Sequence, residues 1–131
     1  MNGKRLGRAL GLGAGVLALS ATVLGGTADA STSRANIGVG SGNYWGVICA
    51  QRAINALHWE SGAYHYVSED GIFGSDTYKG IKSFQLYIST HTRVTLAQDG
   101  IVGPHTGDFV VGYAYEWNST SKCYPYVPTT Y

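Results

Sequence analysis

Three segments of the chain carry apolar residues at three- and four-residue intervals, which is the spacing of an amphipathic helix. Residues 45–58 and 75–87 each place their apolar positions on one face, and residues 104–112 form a shorter segment that buries Phe109 or Val110. The pattern therefore predicts a mainly α-helical domain of three helices. The predicted buried positions of the first two helices are Val47, Ala50, Ile54 and Leu57, and then Thr77, Ile81, Phe84 and Ile88.

The longest apolar run lies near the N-terminus, from Ala9 to about Leu24, and it follows three basic residues. Small residues at Ala28 and Ala30 complete the order of a secretory signal peptide. We therefore expect residues 1–30 to be cleaved and the remaining chain to be secreted, without a membrane segment. The alternative is a retained anchor, which is disfavoured because the run is shorter than the ~20 apolar residues that span a bilayer.

Two octapeptides repeat after the first and second predicted helices. Residues 70–77 (DGIFGSDT) and 99–106 (DGIVGPHT) agree at five of eight positions and stand 29 residues apart. In each, Asp-Gly predicts a tight turn and the second Gly a helix N-cap, and Pro104 suits a first helical position. The repeat predicts two copies of one turn, each leading into a helix. We expect Gln51 and Gln85 to satisfy buried backbone groups.

The segments on either side of the helices have a different character. Residues 31–43 are rich in Ser, Gly and Asn and predict a flexible leader before the helical domain, which we place at 44–112. Residues 113–131 are rich in aromatic side chains, and the prolines at their end exclude helix there. We expect this last segment to be an extended tail.

The two cysteines, Cys49 and Cys123, are expected to form a disulfide, because an exported chain meets an oxidising compartment. On the first helix Cys49 lies about 200° around the axis from Val47, so it points away from the buried face. A disulfide would therefore hold the C-terminal tail across the outside of this helix. The alternative is a catalytic thiol, for which no His or Asn is placed as a partner.

Charge and spacing argue against several functions. After the signal peptide the chain carries six Lys and Arg against seven Asp and Glu, so no basic patch remains for nucleic acid or an anionic membrane. The four histidines lack the spacing of zinc ligands. Nothing places Glu60 and Glu69 opposite each other as a catalytic pair. We expect no metal, no cofactor and no catalytic residue.

The motifs together resemble the peptidoglycan-binding domain family of the first type, a three-helix module appended to cell-wall hydrolases. The family's V-x-x-L-Q, D-G-I-F-G-x-x-T, A-V-x-x-F-Q and D-G-I-V-G-x-x-T segments correspond here to residues 47–51, 70–77, 80–85 and 99–106. The resemblance covers residues 42–112 and implies a small orthogonal three-helix bundle. The departures from the family pattern are Ala50 for Leu, Gly80 for Ala and Gly107 for Trp.

The function implied by the resemblance is non-catalytic binding of bacterial peptidoglycan, at the glycan strand or the stem peptide, by a secreted, wall-associated monomer. Aromatic rings pack on the C–H faces of sugars, so tyrosines on the connector or off the buried helix faces are candidates. The alternatives are an adaptor or inhibitor that binds a cell-wall hydrolase, and a small hydrolase. The candidate binding residues are Tyr64, Tyr66, Asp70, Tyr78 and Tyr87.

Overall fold

The computed structural model describes residues 34–116 and 122–131. Within them the protein has three helices, α1 (Tyr44–Ser61), α2 (Ser75–His91) and α3 (Pro104–Glu116), and no β-strand. The expected small, mainly helical domain is confirmed for these residues. The signal peptide expected over residues 1–30 lies outside them.

The helices begin where the sequence predicts, within one residue, and end later. Asn43 caps α1, because its side-chain oxygen accepts the backbone N–H of Gly46 at 3.0 Å. The left-handed residue Gly62 follows α1, and its N–H bonds to the carbonyl of His58. Ser75 and Pro104 are the first residues of α2 and α3, as predicted. Helices α1 and α2 continue beyond their last buried apolar residues, Leu57 and Ile88, which the apolar spacing could not delimit.

The core is built from the predicted faces of the helices. All eight positions predicted to be buried in α1 and α2 are buried. In α3 Val110 is fully buried, and Phe109 packs against the core at its edge. Helix α1 packs against both α2 and α3. Gly80 allows α2 to approach α1 closely, because a Cβ there would meet the side chain of Ile54.

The leader predicted to be flexible over residues 31–43 is instead packed against the domain in its described part. Ile37 is fully buried, and it exchanges two backbone hydrogen bonds with Val102, at 3.0 and 2.8 Å. Gly40 donates its N–H to the carbonyl of Phe73 at 3.3 Å. Val102 and Phe73 occupy the same position in the two repeated turns. The leader therefore contacts both turns. The sequence predicted flexibility because the residues around the buried Ile37 are mostly Ser, Gly and Asn.

The predicted disulfide between Cys49 and Cys123 is present, with the two Cα atoms 5.7 Å apart. It brings residues 122–131, here called the C-terminal strap, across the outer face of α1. The strap is not extended throughout, because Tyr126 donates its N–H to the carbonyl of Cys123 at 3.0 Å and closes a turn. The geometric expectation from the position of Cys49 holds. The extended conformation expected over residues 113–131 is wrong at this turn and at residues 113–116, which belong to α3.

The strap also completes the core next to α3. Its residues Val127 and Pro128 are buried, and a Cβ on Gly107 would overlap the carbonyl oxygen of Pro128. Asp108 fixes the end of the strap, since its carboxylate accepts the N–H of Thr130 at 2.9 Å and the Thr130 hydroxyl at 2.7 Å. The glycine that departs from the family pattern is therefore the place where the strap packs.

Candidate binding site

The first repeated turn is held by the side chain of Gln51 on α1, which is almost completely buried. Its Oε1 accepts the N–H of Gly71 at 3.0 Å. Its Nε2 donates to the carbonyl of Ile72 at 3.1 Å, to Oδ1 of Asp70 at 2.9 Å and to Oγ1 of Thr77 at 3.1 Å. One amide group thus joins the turn to the start of α2, an arrangement called here the first clamp.

The second turn is held in the same way by Gln85 on α2, which is fully buried. Its Oε1 accepts the N–H of Gly100 at 3.0 Å. Its Nε2 donates to the carbonyl of Ile101 at 2.9 Å, to Oδ1 of Asp99 at 3.0 Å and to Oγ1 of Thr106 at 3.1 Å. This second clamp repeats every contact of the first. The expectation that both glutamines satisfy backbone groups is confirmed, and they bind side chains as well.

A tyrosine covers each turn glycine. Gly71 and Gly100 have φ values of 74° and 72°, which glycine adopts readily. A Cβ on Gly71 would overlap the ring of Tyr44, and one on Gly100 would overlap the ring of Tyr78. Each tyrosine precedes the clamp glutamine by seven residues. The structural repeat therefore extends from the turns back to the start of the preceding helix.

Asp70, a predicted binding residue, is committed to the first clamp. Its Oδ1 accepts the amide of Gln51 and also the N–H of Ile72, at 2.9 Å each. The bond from the Ile72 N–H, and then that from Gln51, lower the pKa of the Asp70 carboxyl below its usual value. This carboxylate stabilises the turn, and its contacts explain its presence without a ligand.

Tyr64, on the connector after α1, belongs to a small polar cluster at the start of α2. Its hydroxyl donates to Oδ1 of Asp76 at 2.9 Å, and its ring stacks on His65 with centroids 4.1 Å apart. Nε2 of His65 lies 2.7 Å from the same carboxylate oxygen. Partial burial, followed by the bond to Asp76, raises the pKa of Tyr64 to about 12. The bond from His65 lowers the pKa of Asp76.

Tyr66 and Tyr87 lie against histidines on different helices. The exposed ring of Tyr66 meets the edge of His58 on α1, with centroids 6.5 Å apart. The ring of Tyr87 stacks on His91 one turn later in α2, at 4.0 Å. These contacts give the two tyrosines separate surroundings.

Tyr78 lines an open groove of about 760 Å³ between the leader and the second turn, with Asp99 and Ile101 on the other side. The ammonium group of Lys82 lies over the Tyr78 ring, 5.7 Å from the ring centroid. Of the five predicted binding residues, only Tyr78 lines this groove, and none of the five lines either of the two grooves described next. The structure therefore does not gather the predicted residues into one of these grooves.

The sequence prediction missed a groove of about 470 Å³ under the C-terminal strap, here called the aromatic groove. The ring of Trp45 on α1 and that of Tyr126 on the strap lie 6.4 Å apart at an interplanar angle of 38°. Arg52 and Lys122 add two cationic side chains. The remaining lining residues are Cys49, Cys123 and Pro125.

A signal for the aromatic groove was present in the sequence. Trp45, Cys49 and Arg52 are spaced by four and three residues, so they share one face of α1. Once Cys49 is expected to anchor the tail on that face, Trp45 and Arg52 must lie beside the tail. The prediction considered tyrosines as the only aromatic binding residues, and it therefore overlooked this tryptophan.

A third groove, of about 570 Å³, lies between the end of α1 and α3 and is here called the acidic groove. Trp59, which is 64% exposed, stands at its edge. Glu60 and Asp108 contribute carboxylates, and none of its described lining residues is Lys or Arg. The two tryptophan-containing grooves therefore differ in the sign of their charge.

The described residues carry neither a metal site nor a membrane-spanning helix, and the chain has no significant match among known proteins. Residues 34–116 and 122–131 contain no cluster of three or more His, Cys, Asp or Glu side chains arranged to hold a metal ion. In the same part of the chain no helix has both the length and the apolar character needed to cross a membrane. No family model, curated protein or solved structure matches the chain significantly.

Proposed function

We propose that this chain is a secreted, non-catalytic module that binds bacterial peptidoglycan and belongs to the peptidoglycan-binding domain family that it resembles. The supporting observation is the pair of clamps. Both D-G-I-x-G-x-x-T turns adopt one conformation, each is held by the glutamine of the preceding helix, and each leads into a helix that packs on one shared core.

The disulfide supports the export part of the proposal. Disulfides persist in oxidising compartments outside the cytosol, and Cys49 and Cys123 are the chain's two cysteines. The extracellular location and the monomeric state remain predictions from the sequence.

Sedimentation with insoluble cell wall tests the proposed function. The full chain is expressed in a secreting host, purified in its oxidised form and mixed with purified peptidoglycan sacculi. We expect the protein to sediment with the wall and the turbidity of the suspension to stay constant. Protein that remains in the supernatant contradicts the proposal, and falling turbidity would indicate a hydrolase instead.

A further inference from the structure

The aromatic groove exposes two rings side by side, although aromatic side chains usually bury most of their surface. Trp45 is 52% exposed and Tyr126 is 39% exposed, and among the exposed aromatic side chains of the domain these two line the aromatic groove together. The volume of about 470 Å³ falls within the ~300–1,000 Å³ of small-molecule sites. The rings therefore present apolar surface to a ligand of modest size.

The groove is held in shape without a ligand. The disulfide fixes the start of the strap on α1. Asn43, the cap of α1, donates its Nδ2 to the carbonyl of Tyr126 at 2.7 Å, and the N–H of Tyr126 bonds to Cys123. Because the backbone that carries Tyr126 is already ordered, binding there costs less conformational entropy.

The charges at the groove favour an anion. Its described lining residues include Lys122, which is exposed, and Arg52, and they include no carboxylate. Arg52 is engaged by Glu69 at 2.9 Å, so Lys122 is the cation better placed to meet a ligand. The acidic groove has the opposite character, although it also contains an exposed tryptophan.

We infer that the aromatic groove binds the amino sugar of glycan strands from which the stem peptide has been removed, with the C–H face of the sugar on Trp45 and Tyr126 and its freed carboxylate near Lys122. This inference rests on the proposed function and deepens it, because it selects glycan over stem peptide. It also moves the binding surface from the repeated turns to the C-terminal strap.

A titration with soluble disaccharides tests the groove directly. The oxidised full chain is titrated with N-acetylglucosaminyl-N-acetylmuramic acid and with the uncharged diacetylchitobiose, and the indole N–H resonances are followed by NMR. We expect the Trp45 signal to move and the muramyl disaccharide to bind more tightly. Trp45→Ala should weaken its binding roughly tenfold, equivalent to about 1.4 kcal/mol. Lys122→Gln should abolish the preference for the charged sugar.

Matched variants separate the groove from general effects. Trp59→Ala removes the tryptophan of the acidic groove, and Lys79→Gln removes an exposed lysine of α2; both should leave affinity unchanged. Tyr126→Phe keeps the ring and should bind normally, whereas Tyr126→Ala should bind weakly. Near-ultraviolet circular dichroism checks that each variant remains folded. Equal losses in Trp45→Ala and Trp59→Ala, equal affinity for both disaccharides, or a response only to free stem peptide overturns the inference.

The sedimentation assay distinguishes the two proposals. Sacculi whose stem peptides have been removed by an amidase present the free carboxylate. If the wild type sediments with them and the double variant Trp45→Ala/Tyr126→Ala does so equally well, the groove inference fails and the proposed function stands. If the wild type does not bind the wall, the proposed function fails. The disaccharide titration then still decides whether the groove takes a carboxylate-bearing sugar.

Discussion

The two clamps make identical contacts around loops of unequal length. Gln51 and Asp70 are 19 residues apart, whereas Gln85 and Asp99 are 14 residues apart. Four of the five additional residues of the first repeat lengthen the end of α1, one lies in the connector that follows, and the turn itself is unchanged. The comparison teaches that the amide of the glutamine determines the conformation of the turn. The helix end and connector between the glutamine and the turn can lengthen without altering that conformation.

The segment that follows the glutamine carries more polar contacts in the first repeat than in the second. The residue four positions after each clamp glutamine is polar, and its side chain hydrogen-bonds to the backbone of a buried apolar residue in the connector. Asn55 exchanges two hydrogen bonds with the backbone of Val67, at 2.8 and 3.0 Å. Ser89 accepts the N–H of Leu96 at 2.8 Å and donates to the carbonyl of the same residue at a longer 3.4 Å. The pair of Arg52 and Glu69 and the disulfide at Cys49 also act on the first repeat.

Removing the disulfide should have the largest effect. Cys49→Ala combined with Cys123→Ala releases a loop closed over 74 residues, which is worth about 4 kcal/mol of unfolding free energy in the chain-entropy model. Urea denaturation measures the loss. Hydrogen exchange at the amides of Gly71 and Gly100 should accelerate equally, because both clamps share one core. Acceleration confined to Gly71 would show that the two repeats unfold separately.

Removing either clamp glutamine should rank second. Gln51→Ala and Gln85→Ala each leave a buried glycine N–H and other polar groups without their partner, and each should cost about 3 kcal/mol. Gln98→Ala, at an exposed position, is the control and should be nearly neutral. Urea midpoints provide the measurement. A difference above about 1 kcal/mol between the two clamp variants would show that the two clamps do not contribute equally to stability.

Replacing each turn glycine by alanine should destabilise the two repeats to different degrees. Gly100→Ala should cost about 3 kcal/mol and Gly71→Ala about 2 kcal/mol, because Tyr78 is half-buried and Tyr44 is exposed and free to move aside. Gly40→Ala, with φ 79° and no atom near the new Cβ, measures the backbone cost alone, about 1 kcal/mol. Thermal unfolding of the three variants tests this order, and the reverse order for residues 71 and 100 would refute it.

The smallest expected effect concerns Tyr64, on the longer connector. Its pKa is raised from 10.0 to about 12, so its contribution to stability is complete below pH 10.0 and is lost as the pH rises through about 12. Because burial is the larger cause, Asp76→Asn should lower the Tyr64 pKa only part of the way. The carbon-13 shift of the labelled tyrosine ring reports it. An unchanged pKa in this variant would remove Asp76 as a cause.

Much of this architecture could be predicted from the sequence because it depends on local spacing. The buried faces of α1 and α2 follow from the helical period, and the turns follow from Asp-Gly and from Pro104. The position of Cys49 on the outer face of α1 predicted where the tail would return. The helical faces and the turns concern residues within a few positions of one another, and the return of the tail follows from the pairing of two cysteines.

The rest depended on contacts between distant segments. Ile37 pairs with Val102, and Trp45 meets Tyr126, over separations that no local period records. For the candidate site, the sequence identified which residues carry aromatic rings, but it did not reveal which residues surround each ring. Tyr64, Tyr78 and Tyr87 therefore proved to be engaged by their own neighbours, and the aromatic groove was missed.

The packing of Pro128 over Gly107 has an evolutionary consequence. A large side chain at position 107 and a C-terminal segment crossing α3 exclude each other, since both need the same space. Sequences that share this architecture should therefore fall into two groups, one with a bulky residue at this position and a chain ending soon after α3, the other with glycine and an appended segment. The two traits should be gained or lost together.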